Sequence, residues 1–155
     1  MKISFTQKQR IMEGITVFTI ILISIYVAFM WGKLPQEVPS NFGINGEITK
    51  FSSKSSIGIK LAVTYGIYIV FTIITINPST WGIGGIKNKK NQQEAFVLGG
   101  DLFCFLKLIL VSIMSYIIFC ALNFIDLGKI FIPMAAILPL AIGFNASAKL
   151  NALKK

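Results

Sequence analysis

Four long apolar blocks set the strongest limit on what this chain can fold into. They cover about residues 11–31, 57–76, 96–122 and 130–148. Each is roughly 20 residues or longer, which is the length that a helix needs to cross the ~30 Å hydrocarbon layer of a bilayer. Only 14% of the residues are charged, whereas average soluble domains have about 25%. We therefore predict an all-α fold, an integral membrane four-helix bundle that forms a single domain over residues 1–155.

The basic residues lie beside the apolar blocks, where they set the orientation of a membrane protein. Nine flank the side that holds both termini, and five flank the other side. This bias predicts a multi-pass protein of the cell membrane with cytoplasmic N- and C-termini. The Pro/Gly-rich loop between the first two helices is then extracellular. The nine residues are Lys2, Lys8, Arg10, Lys87, Lys89, Lys90, Lys149, Lys154 and Lys155.

The net charge of +9 is compatible with binding to nucleic acid. However, no recognisable nucleic-acid-binding motif accompanies this charge. Lysines that cluster beside apolar blocks are typical of contact with anionic lipid headgroups. We therefore expect the lipid bilayer as the partner and no binding of nucleic acid.

The residue types that catalysis and metal binding need are scarce in this chain. It has no histidine, six acidic residues and two cysteines. Cys104 and Cys120 would lie ~24 Å apart on one helix, which is too far for a disulfide bond. We expect no enzymatic activity, no catalytic residue, no metal site and no cofactor.

The segment between the first two blocks carries the most specific pattern in the sequence. Pro35 and Pro39 stop the first helix, because the residue before a proline disfavours the helical conformation. Asn45-Gly46 is a strong signal for a two-residue type I′ turn. The flanking residues 40–44 and 47–51 can then pair as a short hairpin.

The same segment resembles the DUF1648 membrane domain, which also occurs in SdpI-type immunity proteins. The matching positions are Leu34, Pro35, Val38, Pro39, Phe42, Gly46, Ser53 and Lys54. Asn41 stands where the family usually has a histidine, so a titratable group is missing from the loop. The following inner loop and third helix look like those of short stand-alone members.

Two interpretations of this loop remain open. In one, it caps the ends of two helices, with Lys54 reaching the lipid headgroups. In the other, its aromatic and amide groups bind a ligand or a partner. The binding residues would be Leu34, Pro35, Val38, Pro39, Asn41, Phe42, Gly46 and Lys54.

Ionisable residues inside apolar blocks are functional candidates, because burying them in lipid is costly. Lys107 is the deepest, and the favoured interpretation is a lysine whose amino group reaches the inner headgroups. A polar path would need an acid that faces Lys107, and Glu13 is the one in the same leaflet. Asn145 is predicted to hydrogen-bond across a helix interface. Gly143 and Ser147 mark a helix contact or the face of a homo-oligomer.

Two classes of function follow from these features. The first is a binding or protective membrane protein that recognises an extracellular peptide, a toxin or an envelope component through the loop. The second is a small transporter, or an accessory subunit of a membrane complex, that moves a solute between its helices. Sensitivity to substitution in the loop would favour the first class, and sensitivity at Lys107 and Asn145 the second.

Overall fold

A computed structural model gives the fold and describes residues 5–81, 86 and 88–153. Lys2, Lys87, Lys154 and Lys155, which contributed to the predicted orientation, lie outside these residues. The elements in order are α1 (Gln7–Trp31), β1 (Glu37–Phe42), β2 (Ile48–Ser53), α2 (Ser55–Ile76), a short 3-10 helix (Pro78–Trp81), α3 (Lys89–Asn123) and α4 (Phe131–Leu153). The four α-helices are long and apolar enough to cross a membrane. The prediction of a helical membrane fold is confirmed to this extent.

The all-α description needs one correction, because the connection between α1 and α2 is a β-hairpin. Strands β1 and β2 pair antiparallel from Glu37 opposite Ser53 to Phe42 opposite Ile48. The paired segments are longer than the sequence indicated and begin before residue 40. The extra length has a packing cause, since Val38 in β1 is fully buried against the helix ends.

The hairpin turn also differs from the predicted type I′ geometry. The Gly46 amide donates to the Gly43 carbonyl at 2.8 Å, and the Gly43 amide donates to the Glu47 carbonyl at 2.8 Å. Within the turn, φ is positive at Gly46 (82°) and not at Asn45. This pattern is typical of a three-residue hairpin loop that ends in a left-handed glycine. The glycine signal therefore located the turn correctly but indicated the wrong turn type.

Helices α1 and α3 begin earlier than the apolar blocks because side chains cap their first turns. The Thr6 hydroxyl accepts from the Gln9 amide at 3.2 Å, and the Gln9 side chain accepts from the Thr6 amide at 3.0 Å. This reciprocal pair is a capping box. At the start of α3, the Asn88 side chain accepts from the Lys90 amide at 3.0 Å. The helices consequently extend through polar residues that a hydropathy pattern does not assign to a membrane span.

The central helix of the bundle is α3, around which α1, α2 and α4 pack. Its inward face carries small and branched side chains, including Cys104, Val111 and Ile118, none of which has exposed surface. Helices α1 and α2 make few direct contacts with each other. Helix α4 is the most peripheral, with Ala146 as its one buried residue. Polar groups from α1 and α2 therefore meet over the surface of α3.

Candidate functional site

At one end of the bundle, the hairpin docks onto the connection between α3 and α4. We call residues 37–53 and 124–130 together the cap. The Ile48 amide donates to Oδ1 of Asp126 at 2.9 Å, and the Leu127 amide donates to the Gly46 carbonyl at 2.8 Å. Phe51 stacks with Phe124, with ring centroids 6.4 Å apart. Two segments far apart in the sequence thus form one joined surface.

Close backbone approach makes Gly46 a fixed point of the cap. A Cβ atom at this position would lie 2.5 Å from the Gly128 carbonyl oxygen and 2.8 Å from the Gly128 nitrogen. Real Cβ atoms do not approach backbone atoms this closely, so glycine is required for contact as well as for its positive φ. The hairpin and the α3–α4 connection can dock in this way only with glycine at position 46.

Most residues of the predicted loop site are used for packing. Leu34, Val38, Pro39 and Gly46 are buried. Leu34 and Val38 join a core cluster with Ile57 of α2 and residues of α3. Phe42 is half-buried against the same cluster, and the Lys54 amino group lies 5.6 Å from the centre of the Trp31 ring. Of the eight predicted site residues, Pro35 and Asn41 are exposed. The side chains of the predicted loop site therefore mainly hold the hairpin against the helices. Few of them lie on the surface.

The exposed surface of the cap is formed largely by apolar side chains outside the motif. Ile44 at the hairpin turn is 76% exposed, and Ile130, just before α4, is 75% exposed. Phe51 is 49% exposed beside Phe124. Sequence reasoning missed the contribution of residues 124–130 to this surface. Nothing local in that stretch indicated that the hairpin would dock there.

A buried ion pair lies where α1, α2 and α3 meet. The Lys107 amino group on α3 donates to Oε2 of Glu13 on α1, and the Lys107 side chain is 1% exposed. The same amino group donates to Oγ1 of Thr72 at 3.1 Å. Tyr68 donates its hydroxyl to Oε1 of Glu13 at 2.8 Å, and its ring centroid is 5.0 Å from the Lys107 amino nitrogen. The four side chains form a hydrogen-bonded network that connects three helices.

This geometry corrects the interpretation of Lys107 as a lysine that reaches the headgroups. Its amino group is enclosed, with hydrogen bonds to the oxygen atoms of Glu13 and Thr72 and with the Tyr68 ring beside it. These contacts replace hydrogen bonds to water. An ionisable pair inside a membrane span is a functional candidate by default. It is equally suited to holding three helices in one arrangement, since a buried charge that loses its partner is strongly destabilising.

Asn145 does not join this network, and its predicted bond across a helix interface is wrong. Its side-chain amide donates to the Ala141 carbonyl of the same helix at 2.8 Å, and the residue is exposed. Its side chain lines the space between α3 and α4 but bonds to its own helix. A Cβ atom added at Gly143 would meet no atom within 4 Å. The predicted helix contact therefore does not involve Gly143 among the residues that the structure describes. The alternative, that Gly143 and Ser147 form the face of a homo-oligomer, stays a prediction.

A second polar cluster lies one to two turns from the ion pair, at the end of the bundle where α1 begins. Asp101 accepts from the Lys8 amino group at 3.1 Å and from the Gln9 side-chain amide at 2.8 Å. Gln9 is 3% exposed because it packs directly on Gly100, where a Cβ atom would lie 2.6 Å from its amide nitrogen. No sequence signal indicated either contact, because Lys8 and Gln9 lie 93 and 92 residues away from Asp101.

The neighbouring glycine of α3, Gly99, contacts the side chain of Trp81, the last residue of the short 3-10 helix. A Cβ atom at Gly99 would lie 2.6 Å from the Trp81 ring, and the Trp81 ring nitrogen donates to the Ile74 carbonyl at 2.7 Å. The pair Gly99-Gly100 was the available sequence signal, because glycine inside a helix costs up to about 1 kcal/mol relative to alanine. Two adjacent glycines in a long helix indicate that other side chains approach the backbone there.

Comparison with known families agrees with the hairpin pattern. The family model described as a domain of unknown function, DUF1648, matches residues 18–64. The chain contains a DUF1648 domain. No curated protein and no solved structure matched the chain.

The DUF1648 match covers the cap hairpin and the helix ends that hold it. It includes most of α1, both strands and the first ten residues of α2. Glu13, Tyr68, Thr72 and Lys107 lie outside the matched residues. The domain as matched thus corresponds to the hairpin and its supports, whereas the ion pair depends on parts of α1, α2 and α3 beyond it.

Proposed function

We propose that this DUF1648 protein is a membrane-embedded binding protein whose cap recognises an extracellular peptide, toxin or envelope component. In this role it would protect the cell or sense its surroundings, as the resemblance to SdpI-type immunity proteins suggests. The observation that carries the proposal is the docked cap itself. A connection that only joined two helices would need neither a hairpin nor hydrogen bonds to a segment 78 residues away.

The cap supplies a rigid apolar surface, which is a good starting point for binding. Its backbone is fixed by Gly46 and by the bond from Ile48 to Asp126. On this frame Ile44, Phe51 and Ile130 expose large apolar area. Rigid apolar side chains lose little conformational entropy on binding. An amphipathic peptide with an apolar face would match such a surface.

The proposal requires the cap to face the outside, and the basic residues support this orientation. Over the full sequence, nine basic residues flank the opposite end of the bundle and five flank the cap end. The nine include Lys8, Arg10, Lys89, Lys90 and Lys149 among the described residues. Excess lysine and arginine mark the cytoplasmic side of a membrane protein. We expect a reporter fused after residue 155 to be active in the cytoplasm, and a cysteine placed at Asn41 to react with a membrane-impermeant thiol reagent. A reporter exposed on the outer face would reverse the topology and remove the proposed function.

The binding role predicts a change in sensitivity to secreted or membrane-active peptides. Cells that lack the protein should be more sensitive to at least one such peptide, and overexpression should protect them. The double variant Ile44→Ala/Ile130→Ala should reduce that protection about tenfold, because truncating well-placed interface residues commonly costs 1–2 kcal/mol. The readout is the minimal inhibitory concentration of each peptide against otherwise identical strains.

The matched control is Ile137→Ala/Phe144→Ala, which removes apolar side chains of similar exposure from α4. These residues lie on the lipid-facing side of a peripheral helix, so protection should be unchanged at equal protein levels. Equal loss in both double variants would contradict a role specific to the cap. If neither deletion nor overexpression changes any envelope phenotype, the binding function should be abandoned.

The buried network favours a second candidate function, a small transporter or an accessory subunit of a membrane complex. Glu13, Tyr68, Thr72 and Lys107 place hydrogen-bonding groups between three helices that are apolar enough to span a membrane. Ionisable residues within such helices often line a path for a proton or a solute. This function predicts that charge at Glu13 and Lys107 is needed for activity beyond its effect on stability.

A further inference from the structure

The end of the bundle opposite the cap extends beyond the thickness of a bilayer. Helix α3 has 35 residues, which corresponds to ~52 Å at 1.5 Å per residue. The hydrocarbon layer is only ~30 Å thick. Trp81 packs on Gly99, and tryptophan prefers the boundary between hydrocarbon and headgroups. Residues 89–98 of α3 therefore stand at the level of the headgroups or above them.

A groove runs along α3 through this boundary, with the end of α4 as its second wall. Its upper part is a cavity of about 790 Å³, and its lower part is a cavity of about 250 Å³. Leu98, Asp101 and Lys149 line both parts, so the two cavities adjoin. From Lys90 at the top to Phe105 at the bottom, α3 rises ~22 Å. The groove is thus long and open along one side, and it runs from the headgroup level toward the acyl chains.

Both parts of the groove carry polar and apolar side chains. Lys90 and Glu94 lie in the upper part beside Leu98, and Asp101 lies in the lower part beside Leu102 and Phe105. Because α3 passes from the headgroups into the acyl chains, this mixed lining suits an amphiphile with a polar head and an apolar chain. A small soluble anion would leave the apolar side chains of the groove without a partner.

The charge around the groove favours an anionic head. Lys8, Lys90 and Lys149 face Glu94 and Asp101, which leaves one excess positive charge. Asp101 is already neutralised by Lys8 and held by Gln9. Lys90 and Lys149 form no ion pair with any residue that the structure describes. Together with Glu94, these two lysines leave one net positive charge at headgroup level, which suits an anionic phosphate.

We propose that this groove binds one anionic phospholipid. Its phosphate lies between Lys149 and Lys90, and one acyl chain passes down α3 beside Leu98 and Phe105. The lipid fills the space that α4 leaves open along α3, where Ala146 is the only buried residue of α4. The site is at the opposite end of the molecule from the cap and does not depend on the proposed binding function.

The test compares retention of phosphatidylglycerol and phosphatidylcholine by the full chain. Protein reconstituted in nanodiscs with both lipids is released into detergent, and the retained lipids are counted by native mass spectrometry. The wild-type chain should keep phosphatidylglycerol in preference. The variant Lys90→Gln/Lys149→Gln should weaken that retention about thirty-fold, as expected for the loss of two lysine–headgroup attractions.

Two further variants make the result specific to the groove. Lys50→Gln/Lys129→Gln removes the same charge from the cap end and should retain the lipid normally. Ala152→Trp fills the upper cavity without changing any charge and should release the lipid as strongly as the lysine variant does. Circular dichroism of each variant checks that the helices remain folded.

Three results would overturn the proposal. The first is equal retention of both lipids by the wild-type chain. The second is unchanged retention in Ala152→Trp, which would mean that lipids gather on surface charge alone. The third is displacement of the lipid by glycerol 1-phosphate at an equal concentration, which would indicate a phosphate site that holds no acyl chain.

Discussion

Replacing Lys107 with leucine should lower the free energy of unfolding in detergent micelles by about 3 kcal/mol. This is the lower end of the usual cost of removing one partner from a buried ion pair, because the Glu13 side chain is 26% exposed. The variant leaves the Glu13 carboxylate with Tyr68 as its remaining hydrogen-bond partner. Insertion into the membrane should be unaffected, because the lysines and arginine beside the helices still set the orientation. Thermal unfolding followed by circular dichroism measures the effect.

The double variant Glu13→Leu/Lys107→Leu separates structure from function. Removing both charges eliminates the uncompensated carboxylate, so stability should return to within about 1 kcal/mol of the wild-type chain. Lys8→Leu is the control, because its bond to Asp101 joins a side chain that is 69% exposed, and such pairs contribute little. A single variant as stable as the wild type would contradict the role of the pair. A double variant that is stable but has lost its cellular phenotype would favour the transport function.

Replacing Gly46 with valine should detach the hairpin from the α3–α4 connection. A left-handed conformation costs a residue with a Cβ atom about 1–2 kcal/mol. The new side chain would also overlap the Gly128 backbone, which breaks the bonds that Gly46 and Ile48 make with residues 126–127. Together these losses amount to roughly 3 kcal/mol. Hydrogen exchange of the Ile48 and Leu127 amides should rise sharply.

The matched control is Gly128→Ala. Gly128 has a similar positive φ of 85°, but a Cβ atom there would meet nothing within 4 Å. It should show the backbone strain alone, about 1–2 kcal/mol, with both amides still protected. If the two variants had equal effects, backbone strain and not docking would explain the requirement for glycine at position 46.

The helices were predictable because the bilayer imposes a length on each apolar block. The turn was also predictable, since Asn45-Gly46 is a local signal. The length of α3 was not predictable from hydropathy. Residues 89–95 are mostly polar, so hydropathy does not assign them to a membrane span. Their helix depends on the Asn88 cap and on packing of Ala95 against Ile86. An apolar block therefore marks the membrane part of a helix without marking where the helix ends.

The two features that could bear function depend on contacts between distant segments. Glu13 and Lys107 are 94 residues apart, and the sequence could name them only as residues of the same leaflet. Their partners Tyr68 and Thr72 gave no signal, because tyrosine and threonine are common in membrane helices. Docking of the hairpin onto Asp126 likewise joins segments that are far apart in the sequence, with no local signal. Periodicity and local propensity contain no information on which of these distant groups meet.

The docking of the cap has a consequence for the order in which the chain assembles. Because domains form from the N-terminal end during synthesis, the hairpin can close on its own turn as soon as β2 has been made. The Gly46 carbonyl and the Ile48 amide can form their hydrogen bonds to residues 126–127 only later, because those residues are made after most of α3. Val38 likewise gains its full cover only when Ile118 and Leu122 arrive. The cap is therefore a late product of biogenesis, and a protease that cuts an open hairpin but not a docked one would distinguish finished molecules from nascent ones.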